Sequence, residues 1–282
     1  MSRQSGKVNS KEVGLEIGLL LARFFVKSED LHFGYWPDGS ETGFLTFPEA
    51  QERHSKLIFD NIPAGVEEIL DVGAGSGELA RKLTKLGYRV DCVSPSSFLS
   101  DAITSKLPQE SNLFRTKLED LDTERRYDLI IFSESFQYVN LRQGIAQCER
   151  FLKDEGYLLI CDFFQLKVGE PSPLRGGKKL EDFQQTMGEF PFTLKTDIDI
   201  TRETAPTIGI LDQFLTEFLQ PASALTGKYL SSNYPFVSAL LRWKLKKRLA
   251  KISRVYLSGN ITAESFIKHK SYRLFLYAKN SS

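Results

Sequence analysis

Cysteine and histidine are scarce in this chain of 282 residues, with three of each. Cys92, Cys148 and Cys161 are scattered, odd in number and never paired as C-x-x-C. That pattern argues against a disulfide framework or a cysteine metal site, so no metal is expected, and it fits a reducing, cytoplasmic setting. An excess of charge of one sign is also missing. The formal net charge is +1, so the whole chain offers no electrostatic case for nucleic acid. Long hydrophobic runs are absent: the longest, residues 17–26, is interrupted by Arg23 and falls short of the ~20 apolar residues that span a bilayer. The opening MSRQSGKVNSKE is polar and lacks the apolar stretch of a secretory leader. No internal repeat or low-complexity tract is visible. What is present is a hydrophobic content of 41%, enough for one large domain or one domain with a cap.

Residues 69–80, ILDVGAGSGELA, are the most informative stretch. A β-branched apolar run stops at Asp71, three glycines follow at alternate positions (Gly73, Gly75, Gly77), and a helical pattern starts with Leu79, Ala80 and Leu83 on one face. This reads as strand, tight glycine turn and helix. Glycine allows the turn and a close approach of backbone to ligand, and the new helix aims free N–H groups into the turn. A dinucleotide fingerprint, G-x-G-x-x-G, would need a third glycine at position 78. Glu78 stands there, and its carboxylate would face a pyrophosphate.

Further along, β-like and helical patterns alternate. Strands are expected at residues 88–93, 112–116, 127–132 and 156–163, with a helix over 141–152. YDLIIF at 127–132 is the near-continuous apolar run of a strand buried on both faces. The alternation predicts a parallel, doubly wound α/β sheet, whose ligands bind beyond the carboxyl ends of the strands. Residues 192–200 alternate with period two, and residues 272–278 form another β run. Between them lie about 70 residues of mostly helical pattern. Pro221 and Pro235 punctuate that segment and predict several short helices rather than one long one.

The run Asp71-x-Gly73-x-Gly75-x-Gly77 resembles the first motif of the class I S-adenosylmethionine (SAM)-dependent methyltransferases. His32-Phe33-Gly34-Tyr35-Trp36 resembles the H-x-G-Y-W segment of the small-molecule members of the tocopherol, sterol and glycine-sarcosine type. The resemblance covers residues 30–165 well and the remainder in outline. It implies a Rossmann-like sheet with an antiparallel last strand and a helical cap. The parts would be an N-terminal helical lid (1–62), a SAM-binding core (63–202), a cap insertion (203–268) and the last core strand (269–282). The cofactor would be SAM, with S-adenosyl-L-homocysteine as product.

The resemblance also implies site residues. Asp71, Gly73, Gly75, Ser76 and Gly77 would wrap the amino acid end of SAM. Tyr35 and Trp36 would pack over the sulfonium cation, which aromatic faces attract, and Gln51 would meet the SAM carboxylate. Ser94 and Pro95 would face the ribose, Leu118 and Glu119 (or Asp120) the adenine, and Ser133 the space between cofactor and acceptor. Ser94 departs from the family, which usually places Asp or Glu there, and Asp91 is three residues back on the strand. Many relatives carry histidine where this chain has Gln137. Glu134, Tyr138 and Asp162 remain as titratable candidates for catalysis, with His32 from the lid. His54 and His269 read as surface or packing residues.

The acceptor expected from this reading is a small molecule, apolar or lipid-like, because the cap supplies Phe214, Phe218, Tyr229, Tyr234, Phe236 and Trp243. Residues 242–254, RWKLKKRLAKISR, run from Arg242 to Arg254 without an acid. They predict a basic amphipathic cap helix, with peripheral contact to an anionic membrane as the alternative. Two other functions stand beside methyl transfer to a small molecule. One is SAM binding without methyl transfer, regulatory or cyclase-like. The other is a nucleic-acid methyltransferase, against which the missing N-P-P-Y-type loop and the near-zero net charge speak.

Overall fold

The computed structural model describes Leu20, Phe24 and residues 28–170, 172–236, 238–240, 243–244 and 261–281. Its frame is one seven-stranded sheet made of β1 (Glu68–Val72), β2 (Arg89–Val93), β3 (Leu113–Phe114), β4 (Tyr127–Ser133), β5 (Leu152–Gln165), β6 (Phe192–Asp199) and β7 (Lys270–Lys279). The strand order is β3-β2-β1-β4-β5-β7-β6. β1 to β5 run parallel. β7 is inserted antiparallel between β5 and β6, with Cys161 opposite Leu274 and Phe163 opposite Tyr272. The antiparallel pair thus closes one side of the sheet, as expected. Strands β1 and β4 are neighbours while β2 and β3 lie beyond β1, so the chain reverses direction between β1 and β4. Ligands of open α/β sheets bind at such a reversal.

Alternate residues of the central strands point to opposite faces and build two cores. On one face Ile69, Cys92, Leu129, Ile131, Leu159, Leu274 and Leu276 pack together. The helices over it are α1 (Phe47–Asp60), α2 (Glu78–Lys85) and α3 (Ser97–Thr104), through Ile58, Leu79, Ala80, Leu83, Leu99 and Ile103. On the other face Leu70, Val72, Ile130, Phe132, Leu158, Ile160 and Phe275 meet α4 (Leu141–Phe151) and α5 (Leu180–Met187). The third strand is shorter than its pattern predicts. It sits at the edge and pairs only through Leu113 and Phe114, and a short edge strand exposes few unpaired backbone groups.

The segment between β6 and β7 is helical, as predicted, but its punctuation differs. After α6 (Thr201–Thr204) come α7 (Pro206–Gln213), a π-helical stretch (Phe214–Leu219) and α8 (Gln220–Asn233), in unbroken succession from Pro206. Pro221 does not end the run. It lies two positions past the π-helical stretch, which shifts the hydrogen-bond ladder by one residue, so the helix passes a residue with no N–H to donate. Pro235 does act as a stop: the helix ends at Asn233, and Tyr234 leaves helical conformation because the residue before proline disfavours it. α8 buries none of its side chains. Phe218, Tyr229, Tyr234, Phe236 and Trp243 are exposed rather than gathered in a cap core. The predicted basic helix at 242–254 lies outside the described residues except Trp243 and Lys244. A last helix, α9 (Ala263–His269), leads into β7. Among the described residues, no helix is long and apolar enough to cross a membrane.

Candidate active site

The loop after β1 is built on three left-handed glycines, with φ of 76° at Gly73, 54° at Gly75 and 78° at Gly77. Their roles differ. A Cβ on Gly73 would overlap Ser135 in the loop after β4, and a Cβ on Gly77 would fall 2.9 Å from the backbone of Ile103. Those two glycines are required by packing. A Cβ on Gly75 would meet only Leu31 Cδ1, at 3.6 Å, so the loop's free space is at Gly75. Gly73 N–H donates to the Val93 carbonyl at 2.8 Å, which fixes the loop to the end of β2. Glu78 is drawn aside by Arg81 and Lys106. Burial works against its charge, yet these cations hold its carboxyl below the usual value.

The segment of residues 29–36 lies over this loop. Ser76 Oγ donates to the Glu29 carbonyl at 2.6 Å. Lys82, on the apolar face of α2, reaches Asp30 at 2.7 Å and Glu52 at 2.8 Å. Burial opposes the Asp30 charge, but His32 and Lys82 together hold its carboxyl well below the ordinary range. Gln51, in the helix that Pro48 opens, donates through Nε2 to the carbonyls of Asp30 (3.1 Å) and His32 (2.8 Å). Tyr35 and Trp36 are fixed through their backbone N–H groups to Ala50 and Glu203. The Trp36 ring fills the space beside Gly34, where a Cβ would come within 2.6 Å of it.

Several buried polar atoms of these elements have no partner among the described residues: Asp71 Oδ2, Ser133 Oγ, Gln51 Oε1 and Trp36 Nε1. Buried polar atoms ordinarily have partners, so each of these is available to a ligand. Burial pushes the Asp71 carboxyl up to about 7. An acid at the head of the glycine turn, with a hydroxyl at the end of β4 and an amide on α1, suits a zwitterionic amino acid group, so the residues present fit SAM.

Beyond the sheet's carboxyl edge, Glu134 follows the last residue of β4, and its φ of 55° is unusual for a residue with a side chain. Such strain gathers at functional sites. Its Oε1 accepts the Phe33 N–H at 2.5 Å and the Tyr272 hydroxyl at 2.8 Å. Burial pushes the Glu134 carboxyl up, partly countered by His32, Phe33 and Tyr272. Phe33 also packs against Phe163, Phe266 and Tyr272, with ring centroids 5.7–5.9 Å apart. Glu134 thus borders an aromatic wall.

The other catalytic candidates fall elsewhere. Asp162 accepts the backbone N–H groups of Gln137 at 3.1 Å and Phe163 at 2.8 Å, and so holds the loop after β4 in place. Burial, with Glu134 nearby, pushes its carboxyl up to about 8. His32 is buried in the segment of residues 29–36 beside Asp30, with Nε2 3.2 Å from Oδ1. Burial disfavours its charge, but Asp30 more than offsets this and raises the imidazole. Tyr138 is 74% exposed at the rim of the group, and partial burial together with the nearby charges of Asp162 and Glu134 pushes its phenol up.

Ser94 is buried at the end of β2, its Oγ 3.4 Å from the Ser96 N–H. Asp91 does not substitute for it, because Asn112, Arg125 and Tyr127 occupy both carboxylate oxygens. Pro95 is exposed and Leu118 is buried in the core beneath α4. Glu119 Oε1 accepts the Asn140 N–H at 2.6 Å, the start of α4. Sequence reasoning missed Asp30, Lys82 and Tyr272, and read His54 as ordinary. A lysine between Leu79 and Leu83 on an apolar helix face was a signal for Lys82. Tyr272 alternates with Leu274 and Leu276, and that pattern reads only as core.

Residues 70–160 match the family model described as a methyltransferase domain. An uncharacterized methyltransferase of Mycobacterium tuberculosis is 29% identical over 97 residues, 34% of this chain and 40% of that protein. The chain therefore matches less than half the length of that relative. Among solved structures, geranyl diphosphate C-methyltransferase from Streptomyces coelicolor A3(2) superposes with a TM-score of 0.65 at 15% identity, covering 97% of this chain and 99% of that one. The (4+2)-cyclase SpnF superposes with a TM-score of 0.68 at 15% identity, covering 97% of each. At such identities the superpositions speak for the fold. Residues 70–160 thus match a methyltransferase domain, and the chain as a whole shares the Rossmann-like fold of the methyltransferase and the cyclase on which it superposes.

Proposed function

We propose that the chain is a SAM-dependent methyltransferase that binds its cofactor at the loop of residues 71–77 and methylates a small, apolar or lipid-like acceptor. The observation that carries this reading is the unpartnered buried carboxylate oxygen of Asp71 at the head of a glycine loop whose Gly75 has open space beside it. Bound SAM supplies an activated methyl group. Asp71, Gln51 and Ser133 hold and orient the cofactor's amino acid end, and Trp36 and Leu31 exclude water above it. Positioning of this kind accounts for much of the rate in a reaction between two bound partners. Glu134 takes the acceptor's proton at Oε2, since Oε1 is already occupied by two donors. The wall of Phe33, Phe163 and Phe266 beside it favours an apolar acceptor. The exposed aromatics of residues 218–236 suit a lipid-like one, with peripheral membrane contact through the cap.

A second reading, SAM held without methyl transfer, draws on Ser94 and Gln137, which stand where the family usually has an acid and a histidine. One experiment separates the two. The protein is incubated with methyl-deuterated SAM and a small-molecule extract, and products are read by mass spectrometry. A labelled product that requires intact Gly75 supports methyl transfer. Tight SAM binding with no labelled product in any fraction supports the second reading.

A further inference from the structure

The hydroxyl of Tyr272 lies between two groups. It is 2.8 Å from Glu134 Oε1 and 2.9 Å from His54 Nε2. Both Tyr272 and His54 are completely buried, so no water competes for these bonds. A phenol has one hydrogen to give. An ionised carboxylate only accepts, so Glu134 takes that hydrogen, and His54 must then donate to the phenol oxygen from Nε2. His54 Nδ1 is left as a bare acceptor and has no partner among the described residues. A bare buried acceptor is tolerated better than an orphaned N–H, which favours the same tautomer. Cys161 Sγ, 3.5 Å from the same Nε2, is a weak second neighbour.

His54 is also kept neutral. Burial disfavours its charge, and the His32 ring, charged beside Asp30 and stacked on it at 4.5 Å, holds it well below its ordinary value. The direction of the hydrogen bonds is therefore fixed: His54 to Tyr272 to Glu134. With the Phe33 N–H as second donor, Oε1 is saturated, and Oε2 accepts no hydrogen bond among the described residues.

We infer that Tyr272, oriented by His54, is a positioning residue that holds the Glu134 carboxylate with Oε2 turned to the acceptor. This rests on the proposed role of Glu134. The groups facing that carboxylate are His32 from the N-terminal segment, Tyr138 after β4, Cys161 and Asp162 on β5, and Tyr272 on β7. Tyr272 is the one among them that donates a side-chain hydrogen bond to it.

The test uses the full chain. Tyr272→Phe keeps the ring and removes the donor. Carboxyl carbon NMR of the cofactor-free protein, with Glu134 assigned through Glu134→Gln, follows its titration. Loss of the donor should move that titration to higher pH, and nitrogen NMR should show the His54 proton on Nε2 in the parent but no longer confined there in the variant. Once an acceptor is known, kcat should fall ~10- to 100-fold, with KM for SAM unchanged and the acid limb of the pH profile moved upward. His54→Leu should reproduce a weaker form of these effects. An unmoved Glu134 titration in Tyr272→Phe, or a His54 proton on Nδ1 in the parent, overturns the inference. Both readings come from the free protein, so they stand apart from whether methyl transfer occurs. If the variant fails to fold, the parent's His54 tautomer still decides.

Discussion

Phe33 gives its backbone N–H to Glu134 Oε1 at 2.5 Å, across 101 residues of chain. This bond ties the segment over the cofactor loop to the end of β4, so the covering segment and the proposed proton acceptor move as one. Glu134→Gln retains an oxygen that accepts from Phe33 and Tyr272. It should therefore leave SAM affinity and melting temperature near those of the parent. Methyl transfer to an acceptor that must lose a proton should drop ~100- to 10,000-fold, as measured in single-turnover assays.

Ser94 is the buried residue at the end of β2, where a neutral hydroxyl offers a weaker bond to a ribose than a carboxylate does. Ser94→Asp should tighten SAM roughly fivefold, since hydrogen bonds to charged groups are worth about 1 kcal/mol more than neutral ones. Calorimetry checks this, and weaker binding would count against the ribose assignment.

The pH dependence of cofactor binding follows from Asp71. Burial holds its carboxyl at about 7 in the free protein, while pairing with the SAM ammonium requires the carboxylate. Binding near neutrality should therefore release a proton. Affinity should fall as pH drops through 7, approaching roughly tenfold per unit. Titrations in buffers of different ionisation enthalpy measure the proton directly, and Asp71→Asn should abolish the dependence.

Asp162 makes a prediction about stability. Its folded carboxyl titrates at about 8, against ~3.9 in an unfolded chain. The folded state thus binds the extra proton between these values. The contribution is fully present below pH ~4 and is lost as pH rises to about 8. Asp162→Asn should flatten this part of the stability curve in urea titrations at a series of pH values, with the other shifted groups, Asp71, Glu134, His32 and His54 among them, left to supply what slope remains.

The parallel core was legible because its signals are local. β1 and β4 are apolar runs bounded by glycine or polar residues, and the loop glycines mark a turn that needs left-handed backbone. The antiparallel placement of β6 and β7 came from resemblance. Spacing alone cannot tell that Tyr272 sits beside Phe163. The polar interior was not legible for the same reason. Asp30, His32, His54, Lys82 and Tyr272 come from four separate elements, and each by itself reads as a loop acid, a helix charge or a core aromatic. The pattern puts Asp162 near the end of a strand over 156–163, whereas β5 runs on to Gln165, and its ties to Gln137 and Phe163 depend on the loop after β4. The continuous helix through Pro221 went unread because a π-helical turn has no clear sequence signature.

SAM is proposed to lie against Gly75, and calorimetric titration of S-adenosylhomocysteine into the parent and Gly75→Ala proteins tests that most directly. Any side chain there carries the ~1–2 kcal/mol cost of a left-handed backbone, but its Cβ meets nothing closer than Leu31 at 3.6 Å. Gly75→Ala should therefore melt above Gly73→Ala and Gly77→Ala, whose Cβ atoms overlap Ser135 and Ile103. The parent should show one saturable site, and folded Gly75→Ala a large loss of affinity. No heat of binding in the parent, or equal affinity in the two proteins, would contradict it.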